Sequence, residues 1–254
     1  MKPFFSIITV TKNSEEKIDS TIKSVLSQTY KNFEYIILDG FSKDQTFKRI
    51  KDYSHKNIIL YQRKDRSFYE GLNYAIARSR GFFIGILNSG DVYYSESILE
   101  KMKKNINKYK NYDFYYSNLL FFNKKMLSTR VWTQTLNYGI VHQAFQIPHP
   151  TIFVSKKILQ NMKYNVEYKI SSDLDFIIRM INNKFQGKYF NFFSICMEEG
   201  GMSTKFKNII RKLKEDLKIH QKHFKIFLFS FILNKILKLR TIFFNKKYKI
   251  KKYE

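Results

Sequence analysis

The chain has 254 residues, 44% hydrophobic and 17% aromatic, which leaves room for one large α/β domain with an appendage and excludes a disordered chain. A formal net charge of +25 points to an anionic partner: nucleic acid, an acidic membrane surface or phosphorylated ligands. Cys196, the only cysteine, excludes an internal disulfide and a cysteine-based zinc cluster, and suits a reducing, cytoplasmic compartment.

Phe4 to Val10 is an apolar run that passes straight into polar Thr11-Lys12-Asn13 without a small-residue cleavage site, so it reads as a strand and not as a signal peptide. Similar runs at Phe33 to Leu38, Ile58 to Tyr61 and Phe82 to Leu87 are continuous enough for parallel strands buried on both faces. Between the first two, Ile18, Ile22, Val25 and Leu26 share one face of a helix, expected to open at Asn13 or Ser14 with Glu16 in its first turn. Leu72, Ile76 and Ala77 mark a second helix that closes near Gly81. This succession implies right-handed crossovers and an open α/β sheet.

After Tyr112 to Tyr116 the pattern loses regularity. Pro148 and Pro150 punctuate a loop before a helix around Lys156 to Asn161, and another helix is expected from about Asp173 to Asn182. At Thr204 the composition turns Lys-rich and apolar, which divides the chain into a domain of residues 1–204 and a basic, amphipathic helical extension of residues 205–254. The extension holds 16 Lys or Arg against Glu215, Asp216 and Glu254. Within it Ser230, Asn234, Lys238, Thr241 and Asn245 form a narrow polar stripe, with Lys235 beside it. Its longest uncharged run, Ile226 to Asn234, is far shorter than the roughly 20 residues that span a bilayer. A helix lying in the membrane interface is expected, with Phe227, Phe231, Ile232 and Phe243 buried and Lys246, Lys247, Lys249, Lys251 and Lys252 facing anionic lipid. Packing on the domain, or dimerisation, is the alternative.

In an open parallel sheet, ligands bind beyond the carboxyl ends of the strands. Thr11, Asp39, Asp65 and the Asn88-Ser89-Gly90-Asp91 turn each follow one of the four strands. The turn is either a plain β-turn or a loop whose single carboxylate suits Mg²⁺ or Mn²⁺ completed by a diphosphate. There is no G-x-G-x-x-G and no Walker lysine motif, which argues against a dinucleotide or a P-loop site. Asp173, at a helix N-terminus, is either an N-cap or a general base. Asp175 and Arg179 are spaced for a structural i,i+4 pair.

Several segments resemble one family in order over residues 4–204. They are Ser6-Ile7-Ile8-Thr9-Val10-Thr11-Lys12-Asn13, Ser24-Val25-Leu26-Ser27-Gln28-Thr29-Tyr30, and Ile37-Leu38-Asp39-Gly40 with Ser42-Lys43-Asp44 and Thr46. Asp65 through Asn73, Leu87 through Asp91, the Asp173 segment and Gly200-Gly201-Met202-Ser203 complete the set. Together they resemble the family 2 glycosyltransferases of bacterial surface-polysaccharide type. The resemblance implies a GT-A (Rossmann-like), mostly parallel α/β sheet flanked by helices. It also implies a metal-dependent, inverting transfer from a nucleotide-diphosphate sugar, with UDP-sugar favoured, to a glycan or lipid-linked glycan acceptor.

On this resemblance Thr11 and Asp39 would hold the nucleoside base, and Asp65, Arg66 and Asn88 would join the nucleotide site. Asp91 would be the acid that holds Mn²⁺ or Mg²⁺, and Asp173 the catalytic base. Lys12 stands where an aromatic residue often stacks on the base. Asn88 and Gly90 replace acids of the metal motif, which implies a weaker metal site, and Ser172 replaces an acid before the base. His149 falls in a segment resembling the acceptor-side loop, and Trp132 is either a sugar platform or core. The expected location is cytoplasmic, peripheral on the inner face of the membrane, without a nucleic-acid partner. The competing readings are a polyprenyl-phosphate glycosyltransferase and a non-enzymatic nucleic-acid-binding protein.

Overall fold

The computed structural model describes residues 2–123, 127–133, 145, 147–199 and 206–243. The Gly200-Gly201-Met202-Ser203 segment, Asn245 and the lysines from Lys246 to Lys252 lie outside the described residues, as do the side chains of Thr241 and Phe243. The first half is built as β1 (Phe5–Thr11), α1 (Ile18–Leu26), β2 (Phe33–Asp39), α2 (Thr46–Asp52), β3 (Ile58–Gln62), α3 (Phe68–Arg78) and β4 (Phe83–Ile86). These strands lie parallel in the order β3-β2-β1-β4. Their apolar runs explain the placement: β2 is buried along its whole length and β1 almost so. β3, expected to be buried on both faces, is instead the half-exposed edge.

The second half continues with β5 (Val92–Tyr93), α4 (Ile98–Lys108), β6 (Phe114–Phe122), β7 (Ser128–Trp132), a 3₁₀ turn at His149–Thr151, β8 (Phe153–Ser155) and α5 (Lys156–Asn161). Then come α6 (Ser172–Asn182), β9 (Gly187–Glu198), α7 (Phe206–His223) and α8 (Phe227–Phe243). β8 joins β4 to β6 antiparallel, β6 and β9 run parallel, and β5 closes the far edge. Apolar side chains fill the layers on both faces of this sheet.

Two helix starts differ from expectation. α1 begins at Ile18, because Asn13 and Ser14 are engaged elsewhere. Asn13 sits at φ 49 and its Oδ1 accepts the Lys43 N–H at 2.8 Å, while the Ser14 N–H donates to Thr46 Oγ1 at 2.7 Å. The carbonyl of Ser14 takes the Lys17 and Ile18 N–H groups in a tight turn that precedes the helix. α6 begins at Ser172, so Asp173 lies in its first turn and not at the N-cap, which is Ser171.

The polar stripe of α8 faces inward. Ser230 and Asn234 are buried against α7, while Leu228, Phe229, Ile232, Ile236 and Leu239 are exposed. Phe231, expected among the membrane-facing residues, instead lies edge-on to His220 with ring centroids 5.6 Å apart. His220 Nδ1 pairs with Ser230 Oγ at 2.7 Å and its Nε2 with Asn234 Nδ2 at 3.1 Å, an arrangement that suits neutral imidazole. Among the described residues no helix is long and apolar enough to cross a membrane.

Burial pulls His220 down from 6.5 to about 4. The folded chain therefore binds fewer protons than the unfolded chain between those values. The associated stability is complete above pH 6.5 and is lost as pH falls toward 4, by up to about 3 kcal/mol. A melting temperature that drops between pH 7 and 5 in the native protein, and drops less in His220→Gln, is the expected result. Parallel curves for the two proteins would contradict it.

Candidate active site

β1 is flanked by β2, which follows it, and by β4, which the chain reaches only after β3, so the direction of winding reverses between β1 and β4. Loops diverge at such a reversal and leave a crevice beyond the carboxyl ends. Thr11 ends β1 there, opposite Asp39 at the end of β2. Ser89 Oγ donates to Thr11 Oγ1 at 2.7 Å, tying the Asn88–Asp91 turn to β1. Thr21 of α1 anchors the same turn, accepting the Gly90 N–H at 2.9 Å and donating to the Asp91 carbonyl at 3.0 Å. Gly90 has φ 96, where a side chain would be strained and would crowd Glu198 and Lys17.

Asp91 is buried, and Asn88 Nδ2 donates to its Oδ2 at 3.1 Å. Burial pushes its carboxyl up to about 7 against the pull of that hydrogen bond, and the nearby Glu198 adds to the rise. Glu198, at the end of β9, pairs with Lys17 Nζ at 2.5 Å. Asp39 is fully buried: its Oδ2 accepts the Ser42 N–H at 3.0 Å and Gln62 Nε2 at 3.1 Å, and its Oδ1 accepts Ser42 Oγ. A carboxylate has about four acceptor positions, so capacity for one further donor remains.

Asp65 is held by Arg63 Nε at 2.6 Å, and an added Cβ at Gly71 would come within 3.1 Å of its Oδ2. Arg66 is exposed, and its backbone N–H donates to Glu70 Oε2 at 2.8 Å, a contact that helps cap α3 beside the Ser67 cap. Tyr69, two residues before Gly71 on α3, donates to the Ile170 carbonyl at 2.8 Å and lies 3.5 Å from Asp173 Oδ1. Asp65 and Asp173 thus border the same first turn of α3, which opens at the carboxyl edge of the sheet.

Asp173 is half-buried, and its surroundings are pinned from far along the chain. Glu215 of α7 accepts the backbone N–H groups of Lys169, Ile170 and Ser171 at 3.0, 2.9 and 3.0 Å. Asp175 is fully buried between Arg179 Nε at 2.7 Å and His223 Nε2 at 3.0 Å. Burial alone would raise the Asp175 carboxyl, but His223 and Arg179 outweigh it and hold it below its ordinary value. His149 pairs with the Tyr164 hydroxyl at 2.9 Å, and Tyr164 stacks on Phe176 at 4.4 Å, so this histidine props the wall behind Asp173. Trp132 is half-buried in β7, its ring 5.6 Å from the Arg130 guanidinium carbon.

Sequence reading did not single out Gln62, Lys17 or Glu198, and it gave no role to Ser42, Ser89 or Tyr69, which lie within the motif segments, or to Glu215. Glu215 had a signal, since it and Asp216 are acids isolated in a basic segment. Replacing Glu215 by Ala leaves backbone donors of residues 169–171 without their acceptor and is expected to cost at least about 2 kcal/mol. Urea unfolding measures this; a loss below 0.5 kcal/mol, on the order of a surface change, would remove Glu215 from the frame of the site.

Solved glycosyltransferases of GT-A architecture share this fold. S. aureus TarS 1–349 in complex with UDP matches with a TM-score of 0.68 at 18% identity, over 96% of this chain and 73% of that one. A mannosyltransferase from Pyrobaculum calidifontis in complex with GDP-Man and Mn²⁺ matches with a TM-score of 0.63 at 13% identity, over 87% and 64%. The chain belongs to Glycosyl transferase family 2, whose family model matches residues 6–237. A glycosyltransferase of Methanocaldococcus jannaschii is 29% identical over 196 residues, which are 73% of this chain and 67% of that protein. The E. coli UDP-Glc:alpha-D-GlcNAc-diphosphoundecaprenol beta-1,3-glucosyltransferase WfaP is 26% identical over 241 residues, 92% of this chain and 94% of its own length.

Proposed function

We propose that this glycosyltransferase is inverting, takes a UDP-sugar, and extends a lipid-linked glycan in cell-surface polysaccharide synthesis. The observation that carries this reading is that Asp65 and Asp173 both border the first turn of α3, Asp65 beside Gly71 and Asp173 beside the Tyr69 hydroxyl, next to the crevice that Thr11 and the Asn88–Asp91 turn border. The E. coli relative, named for UDP-Glc and a diphosphoundecaprenol-linked acceptor, supports the donor and acceptor classes.

In this proposal the nucleoside lies against Thr11 and Asp39, with Asp65, Arg66 and Asn88 completing its site. The acceptor hydroxyl gives its proton to Asp173 as its oxygen attacks the anomeric carbon from the side opposite the diphosphate, which inverts the configuration. The positive end of α6 steadies the Asp173 carboxylate before the proton arrives. Asp91 fits a divalent cation: it is a hard carboxylate oxygen donor in a tight turn, with Glu198 close by, and burial pushes its carboxyl up to about 7. No group of three or more His, Cys, Asp or Glu gathers among the described residues, so diphosphate and water would complete the coordination. When bound there, Mn²⁺ or Mg²⁺ would stabilise the charge of the leaving diphosphate. The test of the function is product analysis: a UDP-sugar and a diphospholipid-linked sugar should yield a glycoside of inverted anomeric configuration, and retention would overturn the reading.

We also propose that the enzyme sits peripherally on the inner face of the cytoplasmic membrane. The exposed row Phe229, Ile232 and Ile236 on α8 supports this, together with the basic residues that follow. Changing these three residues to Ser should release the protein from phosphatidylglycerol liposomes in a sedimentation assay while the melting temperature holds. Equal binding by both proteins would reject the membrane contact. Deletion of the helix is a poorer test, because its inner face covers His220 and Asp216.

A further inference from the structure

Three residues other than glycine adopt the left-handed backbone region among the described residues: Asn13 at φ 49, Phe41 at φ 55 and Lys184 at φ 60. Local chemistry accounts for two of them. Asn13 accepts the Lys43 N–H through its side chain, and asparagine tolerates this region because its short amide can bond nearby backbone. Lys184 lies just past the last turn of α6, where its N–H donates to the Ile181 carbonyl and the chain leaves the helix. Phe41 has neither reason. A bulky residue with this backbone is an outlier that costs energy and persists only where its surroundings impose it.

The surroundings impose the backbone of Phe41 and leave its side chain unexplained. Asp39 Oδ2 accepts the Ser42 N–H at 3.0 Å and Oδ1 accepts the Ser42 hydroxyl, so the chain must reverse within Gly40 and Phe41. The Gly40 N–H donates to the Thr11 carbonyl at 2.8 Å and Ser42 Oγ accepts the Asn13 N–H at 2.9 Å, which fixes the turn against the end of β1. Glycine or asparagine would take this conformation with less strain, but neither would present an apolar surface. The Phe41 side chain is instead 51% exposed, and among the described residues it contacts no other ring and no cation. An aromatic ring held in solvent by a strained turn adds nothing to the core, so its use lies with a ligand.

The position of the ring indicates which ligand. Asp39, two residues away, has capacity for one further donor and stands at the crevice. A nucleobase that gives an N–H to this carboxylate meets it edge-on, which leaves the flat face of the base beside the turn. Aromatic side chains stack on such faces whatever the base, because every base has a π face.

We infer that Phe41 stacks on the nucleobase of the sugar donor while Asp39 holds the edge of that base. This rests on the donor reading above and adds to it a residue that binds through the face of the base. The turn links the two contacts: the Ser42 bonds that orient the Asp39 carboxylate also set the direction in which the Phe41 ring leaves the chain. Covering the ring when nucleotide arrives offsets the strain that the free loop carries.

The test titrates UDP and inorganic pyrophosphate into the full chain in Mg²⁺ by calorimetry, for the native protein, Phe41→Asn and Phe41→Tyr. Asparagine keeps the left-handed turn and removes the ring, so Phe41→Asn should melt no lower than the native protein. Its UDP affinity should fall about 5-fold or more while its pyrophosphate affinity stays within about twofold, and Phe41→Tyr should bind UDP as the native protein does. Unchanged UDP affinity in Phe41→Asn would overturn the inference. Equal losses for UDP and pyrophosphate would overturn it too, by placing the ring against the diphosphate, as would a melting temperature that falls together with UDP affinity, by making the ring a support of the loop. The two readings fail separately: native protein that binds no UDP removes the donor reading and the part of Phe41 with it, whereas native protein that binds UDP no more tightly than Phe41→Asn removes Phe41 alone.

Discussion

Substituting Asn for Asp173 is expected to lower turnover by about 10² to 10⁴ while leaving UDP binding nearly unchanged. The substitution keeps the shape of the side chain and removes only its ability to take a proton. The fold should tolerate it, because the start of α6 is held by Glu215 through the N–H groups of residues 169–171 and by Asp175 through Arg179 and His223. The Tyr69 hydroxyl still has the Ile170 carbonyl as its closer acceptor, at 2.8 Å. Turnover under saturating donor, paired with a calorimetric UDP titration, measures both halves. A loss below threefold would reduce Asp173 to a helix-start residue, and a matching loss of UDP affinity would place it in the donor site.

The second large effect is expected at Asp91. Excess chelator should abolish transfer, Mn²⁺ or Mg²⁺ should restore it, and Asp91→Ala should weaken UDP-sugar binding in the presence of metal. The pH dependence has a defined sign. Burial raises the Asp91 carboxyl to about 7, so without metal the folded chain keeps a proton that the unfolded chain has released. That contribution to stability is complete below about pH 4 and is lost as pH rises through 7. Metal binds the ionised form, so its stabilising effect should grow over the same rise. Melting curves at pH 5.5 and 8, with and without Mn²⁺, read this directly. Full activity in chelator would instead assign the diphosphate charge to Lys17, whose ammonium pairs with Glu198 beside the turn.

The parallel half of the sheet was legible because its signals are local. Apolar runs such as Phe33 to Leu38 satisfy a strand buried on both faces, and the polar residue that ends each run falls at the carboxyl edge by chain direction alone. Thr11, Asp39, Asp65 and Asp91 could therefore be picked out as candidates from their positions. What supports them could not be. Ser89 reaches Thr11 across 78 positions and Lys17 reaches Glu198 across 181, and no pattern within a window of sequence encodes such pairs.

The extension shows the division most sharply. Periodicity alone pointed to a helix within residues 225–245 with a narrow polar stripe and a broad apolar face, a helix that the structure places at Phe227–Phe243. It did not determine which face meets the protein, because a helical pattern specifies which residues lie together and not what they lie against. The tertiary structure turns Ser230 and Asn234 inward to His220, and Lys235 to Asp216, leaving Phe229, Ile232 and Ile236 outside. The physical reason lies on α7: His220 and Asp216 are themselves buried, and a buried imidazole and carboxylate need polar partners, which Ser230 and Asn234 of the stripe provide for His220 and Lys235 beside it, with Lys212 of α7, for Asp216.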